Sequence, residues 1–319
     1  MFKLALTLLF TLSLHASSLK VLTFNIGALL PHSSRIERGI EIFCERVKKF
    51  DYDLVFIQEA WITSYRKKII QDCQREFHLD LDSKTGILRN QAQGRIKSFK
   101  GHFVSWLFRY IIPDYGVDSG MLILSKYKLD NPKRLFFSVS GSEDYLLDGE
   151  LLVSKGAIGA NLLHPRLGKI FVANTHLTSN YVDHQYDKNR LQQLKELSTW
   201  FRKQGGQKPA VLGGDFNISP PGKRYLNNET LWSALRKSYF KNKNFLNLDF
   251  KNLTTYPGEG VGKDEGFVDH LIGLNGAFPK KGKVIKLDGV SDHYALGARV
   301  IIETKSLKGL KESEELAKN

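Results

Sequence analysis

Cysteine is almost missing from this chain: 319 residues contain two, Cys44 and Cys73. Neither has metal-ligand spacing, so a thiolate zinc site is excluded. Both fall on the apolar faces of predicted helices and read as buried free thiols, with a disulfide as the other option. After the first 18 residues, no apolar run is long and uncharged enough to cross a bilayer. A Pro/Gly/Ser-rich linker and an internal repeat are also lacking, which leaves one large α/β domain as the simplest organisation.

What is present is an ordinary globular composition, 42% hydrophobic and 25% charged, carrying a formal net charge of +14. A surface this basic suits an anionic partner, either nucleic acid or acidic lipid headgroups, without choosing between them. Residues 1–18 (MFKLALTLLFTLSLHASS) place Lys3 before an apolar stretch from Leu4 to Leu14 and end in Ala16, Ser17 and Ser18. That is a signal-peptide pattern, too short to span a bilayer comfortably, with cleavage after Ala16 or Ser18. An uncleaved anchor or a buried first strand is the alternative. The expected location is secreted or periplasmic.

Strand and helix signals alternate along residues 19–303. Leu19–Ile26 reads as a strand, Ser34–Glu37 as a capping box opening a helix, and Asp53–Gln58 as a buried strand. A second helix covers Ser64–Phe77, with Ile69, Ile70, Cys73 and Phe77 inward. Residues 119–125 and 134–140 look like paired strands, followed by strands at 150–163 and Lys169–Thr175. Asp187–Gln204 is the clearest helix, with Leu191, Leu194, Leu197 and Phe201 on one stripe and Gly205-Gly206 as its stop. Further strands run through Ala210–Gly213, Gly266–Leu274 and 293–303, and 304–319 is a charged tail that frays. Strands apolar on both sides need covering twice, so helices should flank sheet layers.

Five stretches carry the chemistry: Asn25 in LTFNIG, Glu59 in IQEAW, His176 in ANTHLTS, Asp215 and Asn217 in GGDFNIS, and Asp292-His293 in VSDHYAL. Each puts a carboxylate, carboxamide or imidazole at the end of an apolar run. Together they supply hard oxygen ligands for Mg²⁺, a carboxylate-oriented histidine and neutral phosphate donors, which metal-assisted hydrolysis of a phosphate ester needs. Asp215 and Asn217, two apart, should point the same way on extended backbone, with Gly213 and Gly214 opening close approach to a substrate. Asp269 in GFVDHLIG is the candidate that orients the His293 base, leaving Asp292 to ligand metal or position water. His270 should point to the opposite side and be structural.

In this order the segments resemble the endonuclease/exonuclease/phosphatase superfamily, with GDFN and SDH as the most specific elements. The resemblance implies a four-layered α/β sandwich, two mixed sheets flanked by helices, over roughly Leu19 to Glu303. It implies that Asn25 and Glu59 belong to the metal site with Asp292 close by, that His176 and Asn217 contact the scissile phosphate, that Asp215 acts on the attacking water, and that Asp269-His293 is the activating dyad. Within the superfamily the chain is similar to secreted bacterial neutral sphingomyelinases, through SGMLILSK at 119–126, Lys155-Gly156 in LLVSKGAIGA, and NTHLTSNY before a helix with Arg190 and Gln193. That similarity implies Mg²⁺-dependent hydrolysis of sphingomyelin to ceramide and phosphocholine, with Mn²⁺ or Co²⁺ as substitutes, by a monomer at a bilayer surface. Residues 95–112 interleave Arg95, Lys97, Lys100 and Arg109 with Phe99, Phe103, Trp106, Phe108 and Tyr110, which suits a headgroup region. The same stripe could pack inward as a core helix or strand pair, or stack on bases. Two rival functions stay open: a secreted DNA or RNA endonuclease, and a catalytically inactive membrane-binding protein on this scaffold.

Overall fold

The first strand shows why apolar residues stand at both odd and even positions of its run. In β1 (Ser18–Ala28), Leu22, Phe24 and Ile26 face one apolar layer and Leu19 and Val21 face another, so both sides are buried. The computed structural model describes residues 18–28, 33–77, 87–89, 120–139, 141, 150, 155–179, 185–222, 228–241, 244–246, 248, 250, 252–257, 265–287 and 289–303. Residues 1–17 of the expected leader, the 95–112 segment and the 304–319 tail fall outside them, while Ser18 opens β1.

Helix α1 (Ser34–Phe50) follows β1, and its cap is Ser33, whose hydroxyl accepts from the Ile36 amide. The expected box at Ser34 is therefore one residue late: the capping oxygen must precede the first helical residue. Then come β2 (Leu54–Ala60), α2 (Thr63–Phe77), β3 (Ile87–Arg89), β4 (Leu122–Ser125) and β5 (Leu129–Phe136). Ile69, Ile70 and Cys73 of α2 are buried as expected; the Phe77 side chain is outside the described set. The chain continues through β6 (Gly156–His164), β7 (Gly168–His176), α3 (Asp187–Gly205) and β8 (Ala210–Asp215). It closes with α4 (Glu229–Ser233), which runs into a π-helical turn at Ala234–Tyr239, and with β9 (Asp269–Leu274), β10 (Ala277–Ile285) and β11 (Ala295–Ile302).

The strands form two mixed sheets, ordered β10-β11-β1-β2-β4-β3 and β5-β6-β7-β8-β9. Helices α1 and α2 cover the outer face of the first; α3 and α4 cover the outer face of the second. Between the sheets lies a third apolar layer built on Val21, Phe56, Ile158, Val172, Val211 and Leu271. This is the four-layered sandwich the resemblance implies.

Three further expectations fail. The 119–125 and 134–140 segments are not partners: β4 pairs with β2 and β3 in one sheet, while β5 pairs with β6 in the other. Alternating hydrophobicity specifies that a strand exists, not which edge it joins. Leu191 is exposed, and the inward stripe of α3 is Arg190, Gln193, Leu194, Leu197 and Phe201. Two polar residues occupy it because they bind the loop after β7: Gln193 Nε2 donates to Thr178 Oγ1 at 2.7 Å, and Arg190 Nη1 to the Thr178 carbonyl at 3.2 Å. Finally, Cys44 and Cys73 are not free thiols but a disulfide joining α1 to α2. The helix faces that bury the two thiols also bring their Cα atoms to 4.9 Å, within bonding geometry.

Closing a loop of 29 residues should stabilise the fold by about 3–4 kcal/mol. The Cys44→Ala/Cys73→Ala protein is expected to unfold at lower urea concentration by that margin; equal midpoints for oxidised and reduced wild type would contradict it. A second prediction concerns His270, which lies on the outer face of β9 as expected and donates to the Ile218 carbonyl at 2.9 Å. Burial depresses its pKa to about 3, and the Arg236 charge adds to this against the pull of the carbonyl. Because the folded pKa lies below the unfolded one, the stabilisation is complete above about pH 6.5 and is lost as pH falls toward 3. His270→Gln keeps a donor to Ile218, so its unfolding free energy should drop about 2 kcal/mol less than wild type between pH 7 and pH 5.

Candidate active site

The layer between the sheets changes character at one end. Along β1 the inward column runs Leu19, Val21, Thr23, Asn25; along β2 it runs Leu54, Phe56, Gln58; along β7, Ile170, Val172, Asn174, His176. In β8 it runs Val211, Gly213, Asp215, and antiparallel β9 contributes Leu271 and then Asp269. Five strands thus turn polar at the same depth. Gly213 lets the sheets close here, since a Cβ would lie 2.4 Å from the Phe56 ring, and at Gly214 it would lie 2.1 Å from the Thr175 carbonyl oxygen. Both glycines are required by strand and sheet packing.

Asn25 Nδ2 donates to Glu59 Oε1 at 2.9 Å and to Asp215 Oδ2 at 3.0 Å, bridging the sheets. Glu59 joins the cluster although its neighbour Gln58 already faces inward, because a φ of +58° breaks the strand alternation at Glu59. His176 Nε2 lies 3.7 Å from Glu59 Oε1 and 3.5 Å from Asp215 Oδ2. The ligand atoms of Glu59, His176 and Asp215 all fall within 4.8 Å of one another, as do those of Asp215, Asp269 and His293. Asp215 is common to both groups.

His293 Nδ1 meets Asp269 Oδ2 at 3.0 Å, the orienting contact expected, and its Nε2 lies 3.8 Å from Asp215 Oδ2. Its loop is tied to β1 by Ser291, whose hydroxyl accepts from the His293 amide and donates to the Asn25 carbonyl at 2.8 Å. Asp292 is exposed at the rim, bonded to Ser291, and belongs to neither tight group. Its field still raises the Glu59 pKa. Of the expected metal set, Glu59 lies in a compact group with His176 and Asp215, Asn25 bridges Glu59 and Asp215 through its nitrogen with its oxygen on the Gly27 amide, and Asp292 stands apart at the rim; among the described residues Asp215 and Asp269 form the second compact group with His293. Asn217 is also not extended. Its φ is +50°, its amide is capped by Asp215 Oδ1 at 2.9 Å, and its Nδ2 donates to the Leu177 carbonyl.

A lysine completes the cluster. Lys155 is buried, with Nζ 2.8 Å from His176 Nε2 and 3.4 Å from Glu150 Oε1. The sequence offers it only as part of a family element, because a buried lysine before a strand looks like any surface lysine until its partner is placed.

Set against each other, Glu150 and Lys155 cancel, leaving Glu59, Asp215, Asp269 and Asp292 with two histidines. Burial raises the Asp215 pKa to about 6, with Asp269 adding to it and His293 opposing. Burial also raises Glu59. At His293 burial opposes the charge, but Asp269, Asp215 and Asp292 override it and lift the pKa to about 10. His176 is held neutral, well below its usual range, by burial and by Lys155. The cluster is short of positive charge and rich in hard oxygen, which is the donor set of a Mg²⁺-class cation.

A family model described as Endonuclease/Exonuclease/phosphatase family matches residues 22–293. The inositol phosphosphingolipids phospholipase C of Schizosaccharomyces pombe is 26% identical over 208 residues, 64% of this chain; the aligned part spans 42% of that relative. Among solved structures, beta toxin from Staphylococcus aureus aligns with a TM-score of 0.62 and 16% identity over 88% of this chain and 99% of its own. A mutant of that toxin with bound magnesium ions aligns at 0.61 with 18% identity over the same shares. An endonuclease/exonuclease/phosphatase from Bacteroides vulgatus aligns at 0.61 with 16% identity, over 90% and 100%. At these identities the structural likenesses show the fold alone.

The charge imbalance has a direct consequence. Glu59→Gln removes a carboxylate that burial disfavours, so in chelator at pH 7.5 the variant should melt roughly 2 °C above wild type. Adding Mg²⁺ should raise the melting temperature of wild type and leave the variant unmoved. A variant that melts lower in chelator, or that retains the full Mg²⁺ response, would contradict this.

Proposed function

Because the chain belongs to the endonuclease/exonuclease/phosphatase family, we propose that it is a secreted, Mg²⁺-dependent phosphodiesterase that hydrolyses sphingomyelin to ceramide and phosphocholine. The observation that carries the hydrolytic part is the convergence of Asn25, Glu59, His176, Asp215, Asp269 and His293 in one cluster short of positive charge. The lipid part draws on the likeness to a phospholipase named for inositol phosphosphingolipids.

Glu59 and Asp215 would hold the cation, with Asn25 between them. When bound, Mg²⁺ supplies charge neutralisation at the phosphoryl oxygens and offsets the carboxylate field that keeps His293 protonated. His176 is kept neutral and Lys155 charged beside it, so the pair suits binding of a phosphate oxygen, assisted by Asn217. His293 takes the proton of the attacking water, and Asp269 stabilises the imidazolium that forms. The water oxygen bonds to phosphorus as the bond from phosphorus to the ceramide oxygen breaks, and that oxygen leaves with a proton taken from solvent, to which His293 later returns the one it accepted. Asp215 accepts from the Asn217 amide on one oxygen and directs the other toward His176 and His293, where it orients the water.

Export is supported by the leader pattern and by the Cys44–Cys73 disulfide, since such bonds persist in oxidising compartments. The bilayer contact is assigned to Phe99, Phe103, Trp106 and Phe108, whose basic neighbours suit the headgroup layer. The protein is expected to act as a monomer.

Purified protein with Mg²⁺ should release phosphocholine from sphingomyelin liposomes, stop on chelation, and leave phosphatidylcholine liposomes and plasmid DNA intact. His293→Ala and Asp215→Asn should each lower the rate by roughly 10²–10⁴-fold. Nicked plasmid beside inert liposomes would give the function to a secreted nuclease, which the +14 charge suits equally. Release of an inositol phosphate headgroup in place of phosphocholine would keep the reaction and change the substrate. Membrane damage undiminished in both variants would replace the enzyme by an inactive membrane-binding protein.

A further inference from the structure

Directly beneath the carboxylate cluster, a second polar tier crosses between the sheets. Gln58 of β2 donates from Nε2 to Asn174 Oδ1 of β7 at 2.6 Å and to Thr23 Oγ1 of β1 at 3.1 Å. Asn174 in turn donates from Nδ2 to the carbonyls of Ile57 and Leu122 at 2.8 and 3.0 Å. All three side chains are fully buried. The order of donors is forced: facing two carbonyls, Asn174 must present its nitrogen there, so its oxygen is left for Gln58, and Gln58 must offer its own nitrogen.

That arrangement is an expensive way to fill a core. Gln58 Oε1 is buried with no hydrogen-bond partner among the described residues, a deficit that costs about 1–3 kcal/mol. Methionine or leucine at these positions would continue the apolar layer of Phe56 and Val172 without it. Each member also stands one or two residues before a member of the cluster: Thr23 before Asn25, Gln58 before Glu59, Asn174 before His176.

We infer that Thr23, Gln58 and Asn174 form a clamp between the sheets that sets the separation of Glu59 from Asp215 and His176, and through it the affinity of the cluster for a divalent cation. These are positioning residues; none reaches the cluster itself. Apolar packing fixes volume without specifying direction, whereas a chain of carboxamides fixes both distance and register. The inference rests on the reading of the cluster as a cation site.

The test replaces the clamp by apolar side chains of similar volume, Gln58→Met/Asn174→Leu, and reads the Mg²⁺ concentration that gives half of the maximal rise in melting temperature, without any substrate. Wild type sets the reference, and Leu197→Ala, in the layer between α3 and its sheet, controls for lost stability. The double variant, which takes the Asn174 donor from the Ile57 and Leu122 carbonyls, should melt somewhat below wild type in chelator and need roughly 10-fold more Mg²⁺, while Leu197→Ala melts lower and keeps the wild-type half-saturation. Should the double variant not fold, Thr23→Val is compared with Thr23→Ser: valine should weaken Mg²⁺ binding and serine restore it. Wild-type half-saturation in the double variant, or in Thr23→Val, would overturn the clamp alone. Absence of any Mg²⁺ response in wild type would overturn the cation site and the clamp with it.

Discussion

The structure depends on one constraint: two sheets pack face to face through a single apolar layer, and at one end that layer must accommodate charge. Along most of its length it is held by Val21, Phe56, Val172, Val211 and Leu271, which need only volume complementarity. At the polar end the same inward positions carry Asn25, His176, Asp215 and Asp269, and burial of charge is tolerable only with matched partners. Asn25 bridges Glu59 to Asp215, Lys155 lies against His176 and Glu150, and Asp269 holds His293. The positive φ values at Glu59 and Asn217 are part of the same arrangement: at Glu59 the backbone breaks the strand alternation that would aim its side chain away, and at Asn217 it brings the amide onto Asp215 Oδ1.

From this follows the division of labour in the fold. The outer helical layers are apolar and cross-linked, by the disulfide on one side and by the packing of α3 on the other. The ends of β1, β2, β7, β8 and β9 carry most of the chemistry, joined by Asn217 and His293 from the loops after β8 and before β11, and the loops beside them are tied down: Gln193 and Arg190 to Thr178, Asp215 to the Asn217 amide, Ser291 to the Asn25 carbonyl. A rigid scaffold with its reactive groups on anchored strand ends keeps them near a fixed geometry without a ligand to organise them.

Much of this was legible in the sequence. The apolar runs ending in Asn25, Glu59, His176 and Asp215 are strands, the Asp269-His293 pair forms, and His270 faces away, because period-two alternation fixes which neighbour points inward. What escaped reading depends on long-range or local detail that alternation does not encode. Strand partners for 119–125 and 134–140 are set by tertiary packing, and the Cys44–Cys73 bond by the meeting of two helices. Asn217 departs from extended backbone because the carboxylate of Asp215 competes for its amide, and Gly213 and Gly214 are explained by Phe56 and Thr175, distant in sequence. Lys155 and the Gln58–Asn174 pair look like ordinary polar residues until their partners are known.

Whether the polar end of the layer between the sheets is a divalent-cation site is decided by a crystal structure of the protein soaked in Mn²⁺ with anomalous data. A strong peak is expected between the carboxylates of Glu59 and Asp215, with the Asn25 amide turned to present its oxygen. A peak elsewhere, or none there while the Asn25 nitrogen still bridges the two carboxylates, would contradict it.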